Sequence, residues 1–374
     1  MPAPNGMTET APESLRGPGV TAALVGLTAP HSSGWRQTLR HCPTIDRFVV
    51  CDHPRSEAAV PPDSPEPHPD AAYSDVGSML ASENLDFALI SVRNDEAPEL
   101  GSRFLSAGIP VIIEKPAART SAEIQALIDL SRRTGVPWCT GFLNRFLPAA
   151  QEFREIVGAG ALGRVVSIEA RMVTSSVAQR GPDHWLFQQA TAGGGILHWL
   201  AIHSIDLIRY VTGLEFAQVS GHVATLSDTG IDVEDMAAVS FTMSNGAVGN
   251  LHAGYVLRQR YGDIGMTIRG TLGEVVWPMW DVSGRRSTLQ VHSDAPGWES
   301  VGYKEITVEP RDAPGYGGSG GIEFVSGFIR AAAGGDPFIT DGDDALKAMQ
   351  FVEAAYAASS RSEVIAMKGG GQAV

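Results

Sequence analysis

The 374-residue sequence predicts two units in tandem. Residues 20–140 read as a doubly wound parallel α/β unit, and residues 141–367 as a large, open, mostly antiparallel sheet covered by helices on one face. Three observations carry this. Short apolar runs alternate with helical stretches up to residue 140, which is the order of a parallel sheet. Beyond residue 165 the strands become longer, β-branched and partly alternating, as antiparallel strands with one solvated face do. Between these later strands, Ser244-Asn245-Gly246 supplies a tight hairpin turn, because Asn-Gly accepts positive φ.

The first unit opens with Val20–Leu27, an apolar run containing Gly26, and continues with a helical pattern from Trp35 to Leu39. Arg47–Asp52 is a second strand ending in an acid, which lies 26 residues past Gly26. Strand, glycine turn, helix, strand, acid is the order of a Rossmann dinucleotide-binding unit. The glycine fingerprint is altered: the positions of its second and third glycines hold Thr28 and His31. Ser32 and Ser33 are placed to cap the helix and to offer hydroxyls to a phosphate. Taken alone, this loop leaves nucleotide binding open. The Pro-rich stretch 54–69 cannot supply much helix and reads as a surface loop. Leu85–Val92 is a buried strand with Arg93-Asn94-Asp95 at its carboxyl end, where open parallel sheets bind ligands. A helix (96–107) and the strand Pro110–Ile113 lead into Glu114-Lys115-Pro116, which aims a lysine amine at the same crevice. A helix over 121–134, the strand Pro137–Thr140 and the segment Gly141–Phe146 complete the unit.

In the second unit, helix 148–157 precedes strands 165–173, 216–226, 236–243 and 246–256, and a hairpin over 267–276. Helices near 322–333 and 343–360 close the chain. Gly193-Gly194-Gly195 leads into a helix that runs to Gly213. At 100° per residue, His198, Asp206, Arg209 and Thr212 share one arc, whereas His203 falls with Trp199, Leu200, Leu207 and Tyr210. On that side a histidine reads, by itself, as a core residue.

Apolar residues make up 43% of the chain and charged residues 19%, ordinary for a globular protein. A net charge of −14 argues against nucleic acid or an anionic membrane as partner. Cys42, Cys51 and Cys139 show no metal-ligand spacing and read as free thiols of a reducing compartment. No stretch approaches the ~18–20 apolar residues of a membrane span. Residues 1–19 read as a disordered tail and 368–374 as a flexible one, so a cytoplasmic protein is expected.

Glu114-Lys115-Pro116, Asn144-Arg145-Phe146, the glycine triplet with His203 and Asp206, Gly270-Thr271-Leu272-Gly273, and Asp341 with Ala354-Ala355 occur in that order. This series resembles the Gfo/Idh/MocA family of NAD(P)-dependent oxidoreductases over about residues 20–367. The resemblance implies an enzyme that transfers a hydride between a nicotinamide and a hydroxyl or ketone carbon of a sugar, amino-sugar or cyclitol. It implies Lys115 and His203 as the catalytic pair, with the imidazole taking the proton and the ammonium donating to the substrate oxygen. Gly26, Thr28, His31, Ser32, Asp52, Asn94, Glu99, Glu114, Lys115 and Pro116 are the expected cofactor contacts. Asp52 favours NAD, with NADP an alternative in which Arg55 holds the extra phosphate. Asn144, Arg145, Arg180, Asp183, His184, Trp185, His198 and Trp199 are the expected substrate contacts. No metal is expected, and a homodimer or homotetramer is. Many members of the family carry an aspartate where this chain has Trp199, so the histidine here has no carboxylate on the preceding turn. Two other readings stay open: a glycosidase that recycles its NAD, and a non-catalytic sensor of the same fold.

Overall fold

A computed structural model describes residues 19–27, 29–52, 68–258, 262–278, 287–298, 303–309 and 313–367. Both tails beyond these limits, Thr28, Arg55 and stretch 54–67 of the Pro-rich segment lie outside the described residues.

Six strands form the first sheet: β1 (Val20–Val25), β2 (Ile45–Cys51), β3 (Ala71–Tyr73), β4 (Phe87–Ile90), β5 (Val111–Ile113) and β6 (Trp138–Thr140). They run parallel in the order β3-β2-β1-β4-β5-β6. The strand order reverses between β1 and β4, and the crevice at such a switch point is where these sheets hold ligands. β4 is buried along its whole length, which explains its unbroken apolar run. On one face Ala22, Leu24, Phe48, Leu89 and Ile112 pack against Trp35 and Leu39 of helix Ser32–His41. Phe324, Val325 and Phe328 of helix Ser319–Ala332 join the same cluster. That helix comes late in the chain yet covers the first sheet, a pairing that no local periodicity announces. The opposite face carries helices Val76–Ser82, Ala97–Ser106 and Ser121–Thr134. The last of these ends as expected: Thr120 and Glu123 form a capping box, and Gly135 closes it at φ 71°.

The second sheet has nine strands: β7 (Val165–Thr174), β8 (Phe216–Ala224), β9 (Met236–Met243), β10 (Val248–Gly254), β11 (Gly262–Gly270), β12 (Gly273–Trp277), β13 (Ser287–Ser293), β14 (Tyr303–Val308) and β15 (Ile365–Ala366). Their order is β14-β13-β12-β11-β7-β10-β9-β8-β15. Every neighbouring pair is antiparallel except β10 with β7. Along β9, Ala237, Val239, Phe241 and Met243 are buried while Ala238 and Ser240 are exposed, so one face is covered and the other is not. Helices Ile202–Thr212 and Gly342–Arg361 lie on the covered face, where Phe351 meets Phe216 and Phe241 at ring distances of 4.3 and 5.9 Å. The β9–β10 hairpin turns where expected, with Gly246 at φ 83°. Strands β3, β13, β14 and β15 were not apparent from the sequence pattern. β15 has only two residues, and the inward positions of β13 include two serines. Among the described residues no helix is long and apolar enough to cross a membrane.

Candidate active site

The carboxyl edge of the first sheet, at the switch point between β1 and β4, has the shape of a dinucleotide site. Gly26 follows β1 at φ 90°, its N–H donates to the Cys51 carbonyl at 2.9 Å, and a Cβ there would come within 2.2 Å of the Ser91 carbonyl oxygen. Only glycine fits. Asp52, just past β2, keeps a buried Oδ1 with no partner among the described residues, as an acid waiting for a ribose hydroxyl would. Helix Ser32–His41 begins at this edge with His31 as its N-cap and no side-chain cap, leaving its amino end to an anion. These three features suit NAD. Among the described residues no cluster of His, Cys, Asp or Glu could hold a metal.

Several expected cofactor contacts have other engagements. Ser32 lies inside the helix, and its buried Oγ donates to Ser91 Oγ at 3.0 Å, tying the helix to the end of β4 rather than facing a phosphate. The Asn94 amide donates to the Ala192 carbonyl at 2.7 Å and so joins β4 to the glycine triplet. Glu99, in the first turn of its helix, is exposed to solvent. His31 does reach the crevice: its ring stacks on Tyr316 at 4.1 Å and on Trp199 at 5.6 Å.

β5 delivers Glu114 and Lys115 into the interior. Glu114 Oε1 is 3.2 Å from His31 Nδ1, and Oε2 accepts from the Trp35 indole N–H. Burial opposes the Glu114 charge, but His31, Lys115 and Trp35 outweigh it and hold its pKa below the usual value. His31 is lowered by burial despite the pull of Glu114. The sequence suggested Lys115 as a loop lysine at the crevice edge, yet its side chain is fully buried. Its Nζ donates to the Trp199 carbonyl at 2.8 Å and sits 3.4 Å from the centre of the Trp199 ring. Burial, reinforced by Arg180 and opposed by Glu114, lowers its pKa to about 7. The peptide bond to the buried Pro116 is cis.

The glycine triplet is explained by close approach. A Cβ on Gly194 would lie 2.2 Å from Tyr356 Oη, and one on Gly195 would lie 1.9 Å from the Glu234 carbonyl. The buried Glu234 carboxylate accepts from the N–H groups of Gly195 (2.6 Å) and Leu197 (3.0 Å) and from Tyr356 Oη (2.9 Å). It thereby fixes the start of the helical run. Leu197–Ala201 forms a π turn before helix Ile202–Thr212, which Gly213 ends at φ 66°. The wide turn breaks the 100° register assumed from the sequence, and positions 201–211 are all buried, so the expected polar arc does not exist.

His203 is 3% exposed, stands edge-on to Phe142 at 6.4 Å, and its Nδ1 has no partner among the described residues. Burial lowers its pKa well below the ordinary value, with Lys115 and His31 adding to the effect. His198 is a correction: fully buried, its Nε2 donates to the Arg119 carbonyl at 3.2 Å, so it braces the loop after Pro116 instead of meeting a substrate. Burial takes its pKa to about 4. Arg145 is a second correction. Its Nη2 and Nε reach Asp206 at 2.5 and 3.0 Å, and Nη1 reaches the Ile339 carbonyl at 2.5 Å and Asp344 at 2.9 Å. That guanidinium locks three segments together and is not free for a ligand. Its neighbour Asn144 is 1% exposed, and neither amide atom has a partner among the described residues.

Trp199 connects the site to its rim. Trp185 meets it edge-on at 5.9 Å, and His184 stacks on Trp185 at 5.7 Å. Arg180 and Asp183 are exposed at this rim. Sequence reasoning missed Trp35, Tyr316 and Glu234. Trp35 reaches Glu114 79 residues on, Tyr316 stacks on His31 285 residues back, and Glu234 holds Gly195 39 residues back, so no local motif links them.

A doubly wound sheet with a glycine-only turn, a ribose-ready acid and a buried lysine beside a buried histidine defines a dinucleotide-dependent oxidoreductase. Comparison with known proteins gives the family. Residues 20–142 match the oxidoreductase family's NAD-binding Rossmann fold, and residues 150–276 match the GFO/IDH/MocA C-terminal domain. The chain belongs to the Gfo/Idh/MocA family and is an NAD-binding oxidoreductase. It is 28% identical over 267 residues to levoglucosan dehydrogenase of Pseudarthrobacter phenanthrenivorans, covering 65% of this chain and 67% of that one. Over 283 residues it is 29% identical to a myo-inositol dehydrogenase of Streptomyces leeuwenhoekii, covering 73% and 78%. Among solved structures, an oxidoreductase domain protein from Kribbella flavida shares the fold with a TM-score of 0.81 at 22% identity, covering 93% of this chain and 99% of that chain.

Proposed function

We propose that this protein interconverts a hydroxyl and a ketone on a sugar, amino-sugar or cyclitol, using NAD. The observation that carries this reading is the meeting of a buried histidine kept neutral and a buried lysine whose pKa is lowered to about 7, with Trp199 and Trp185 as an aromatic rim. Bound NAD supplies the hydride acceptor. His203, kept neutral by burial, is the proton acceptor for the substrate hydroxyl. Lys115, whose charged form is favoured by the neighbouring Glu114, donates to the substrate oxygen. Asn144 can both donate to and accept from a further hydroxyl. Trp185 and Trp199 offer apolar faces on which a sugar ring can pack.

The names of the two relatives support a polyol substrate, and the orphaned Asp52 oxygen supports NAD over NADP. The expected unit boundaries at 140 and 367 stay part of this reading. So does a cytoplasmic location, which three free buried cysteines support. A homodimer or homotetramer would use the uncovered face of the nine-stranded sheet, where Val248 and Val364 are exposed. Light scattering on the purified protein tests the oligomer, and a monomer would refute it. A panel of sugars, amino-sugars and inositols assayed for NAD reduction tests the activity.

A further inference from the structure

The rim of the site carries positive charge without acidic partners. Arg180 closes the short helix Ser176–Arg180, is exposed, and makes no hydrogen bond or ion pair among the described residues. This is unexpected in a chain with 42 acidic and 28 basic residues. The carboxylates of the interior are already engaged: Glu114 by His31 and Trp35, Asp206 by Arg145, Glu234 by the helix start. Asp183, nearby on the rim, bonds neither Arg180 nor His184 through its carboxylate among the described residues. His184 Nδ1 accepts from the Leu186 N–H at 3.2 Å, so the neutral ring carries its proton on Nε2, a second free donor.

This rim is coupled to the reacting centre. The contacts run from His184 to Trp185, from Trp185 to Trp199, and from Trp199 to Lys115 Nζ, at 5.7, 5.9 and 3.4 Å. Arg180 stands four residues before His184 in the chain, and after burial its charge further disfavours the protonated forms of His184 and Lys115. The cofactor's diphosphate has its own place at the amino end of helix Ser32–His41, on the other unit. Arg180 is therefore left for the substrate.

We propose that Arg180, with the Nε2–H of His184 beside it, binds an anionic substituent on the sugar or cyclitol, so that the preferred substrate carries a carboxylate or a phosphate. The proposal rests on the polyol reading above and narrows it. The test uses the protein saturated with NADH and follows cofactor fluorescence as D-glucose, D-glucuronate or D-glucose 6-phosphate is added. At least one anionic probe should bind about tenfold or more tighter than glucose, the scale of one charge-assisted hydrogen bond. Which anion binds better separates carboxylate from phosphate. Arg180→Gln should abolish the preference, and Arg180→Lys should restore part of it. Equal binding of glucose and both anions, an undiminished preference in Arg180→Gln, or no binding of any probe to the NADH complex overturns the proposal. Failure of the polyol reading itself has a different signature, no ketone product and no net NADH from any sugar, amino-sugar or inositol, which would sink both.

Discussion

At the scale of single residues, the chemistry follows from burial. Lys115 has a pKa of about 7 against an ordinary 10.5 because it is fully buried, with a carbonyl and an indole face as its nearest partners. Ketone reduction with NADH needs the charged lysine as donor, so turnover should fall as pH rises through about 7. Lys115→Met should remove that limb and lower turnover by about a hundredfold or more. In His203→Asn the limb should persist on a reduced rate, since His203 is neutral throughout this range. A wild-type profile flat from pH 6 to 8, or an intact limb in Lys115→Met, would contradict these assignments. The same pKa makes a stability prediction. Between pH 7 and 10.5 the unfolded lysine binds a proton that the folded one releases, so its contribution to stability falls as pH drops through that window. Lys115→Met should thus melt at a higher temperature than wild type at pH 6, and the difference should shrink by pH 10. Asp52→Ser should narrow the preference for NAD over NADP by about tenfold in a direct titration, through loss of the ribose acceptor; an unchanged ratio would remove Asp52 from cofactor choice.

At the scale of elements, the glycine triplet and Glu234 are one device. Glycine allows the chain to press against Glu234 and Tyr356, and the carboxylate holds the first N–H groups of the run that carries Trp199 and His203. Gly195→Ala places a methyl within 1.9 Å of a backbone oxygen and should destabilise the fold severely. Glu234→Ala leaves buried donors unmatched and should cost about 1–3 kcal/mol in urea denaturation, whereas Glu234→Gln keeps an acceptor and should cost less. Equal losses would show that charge, not hydrogen bonding, matters there. This device also shows how far the sequence was readable. The triplet, the helix and its end at Gly213 were legible because glycine and periodicity are local signals. The π turn was not, since one inserted residue per turn leaves no trace in composition. His198, an expected substrate contact only through the family resemblance, braces the Arg119 carbonyl instead.

At the scale of the molecule, both sheets were legible from the switch in strand length and alternation near residue 165. The placement of late elements was not. Helix Ser319–Ala332 belongs by sequence to the second unit but packs on the first sheet, and its preceding loop lays Tyr316 on His31 and Trp35. The two units are thus joined across the candidate site by contacts separated by nearly three hundred residues, which no motif encodes. Arg145 illustrates the same limit. It matched a family motif beside the crevice, but Asp206 and Asp344 claim it, and the partnership depends on folding that brings three distant segments together. The central claim is net hydride transfer to NAD from a polyol carbon, and the most direct measurement is NADH accumulation with the substrate panel, uronates and sugar phosphates included. NADH should accumulate stoichiometrically with ketone product for at least one substrate, and Lys115→Met should abolish it. Product formed with no net NADH, or tight NAD binding without turnover of any polyol, would contradict the account.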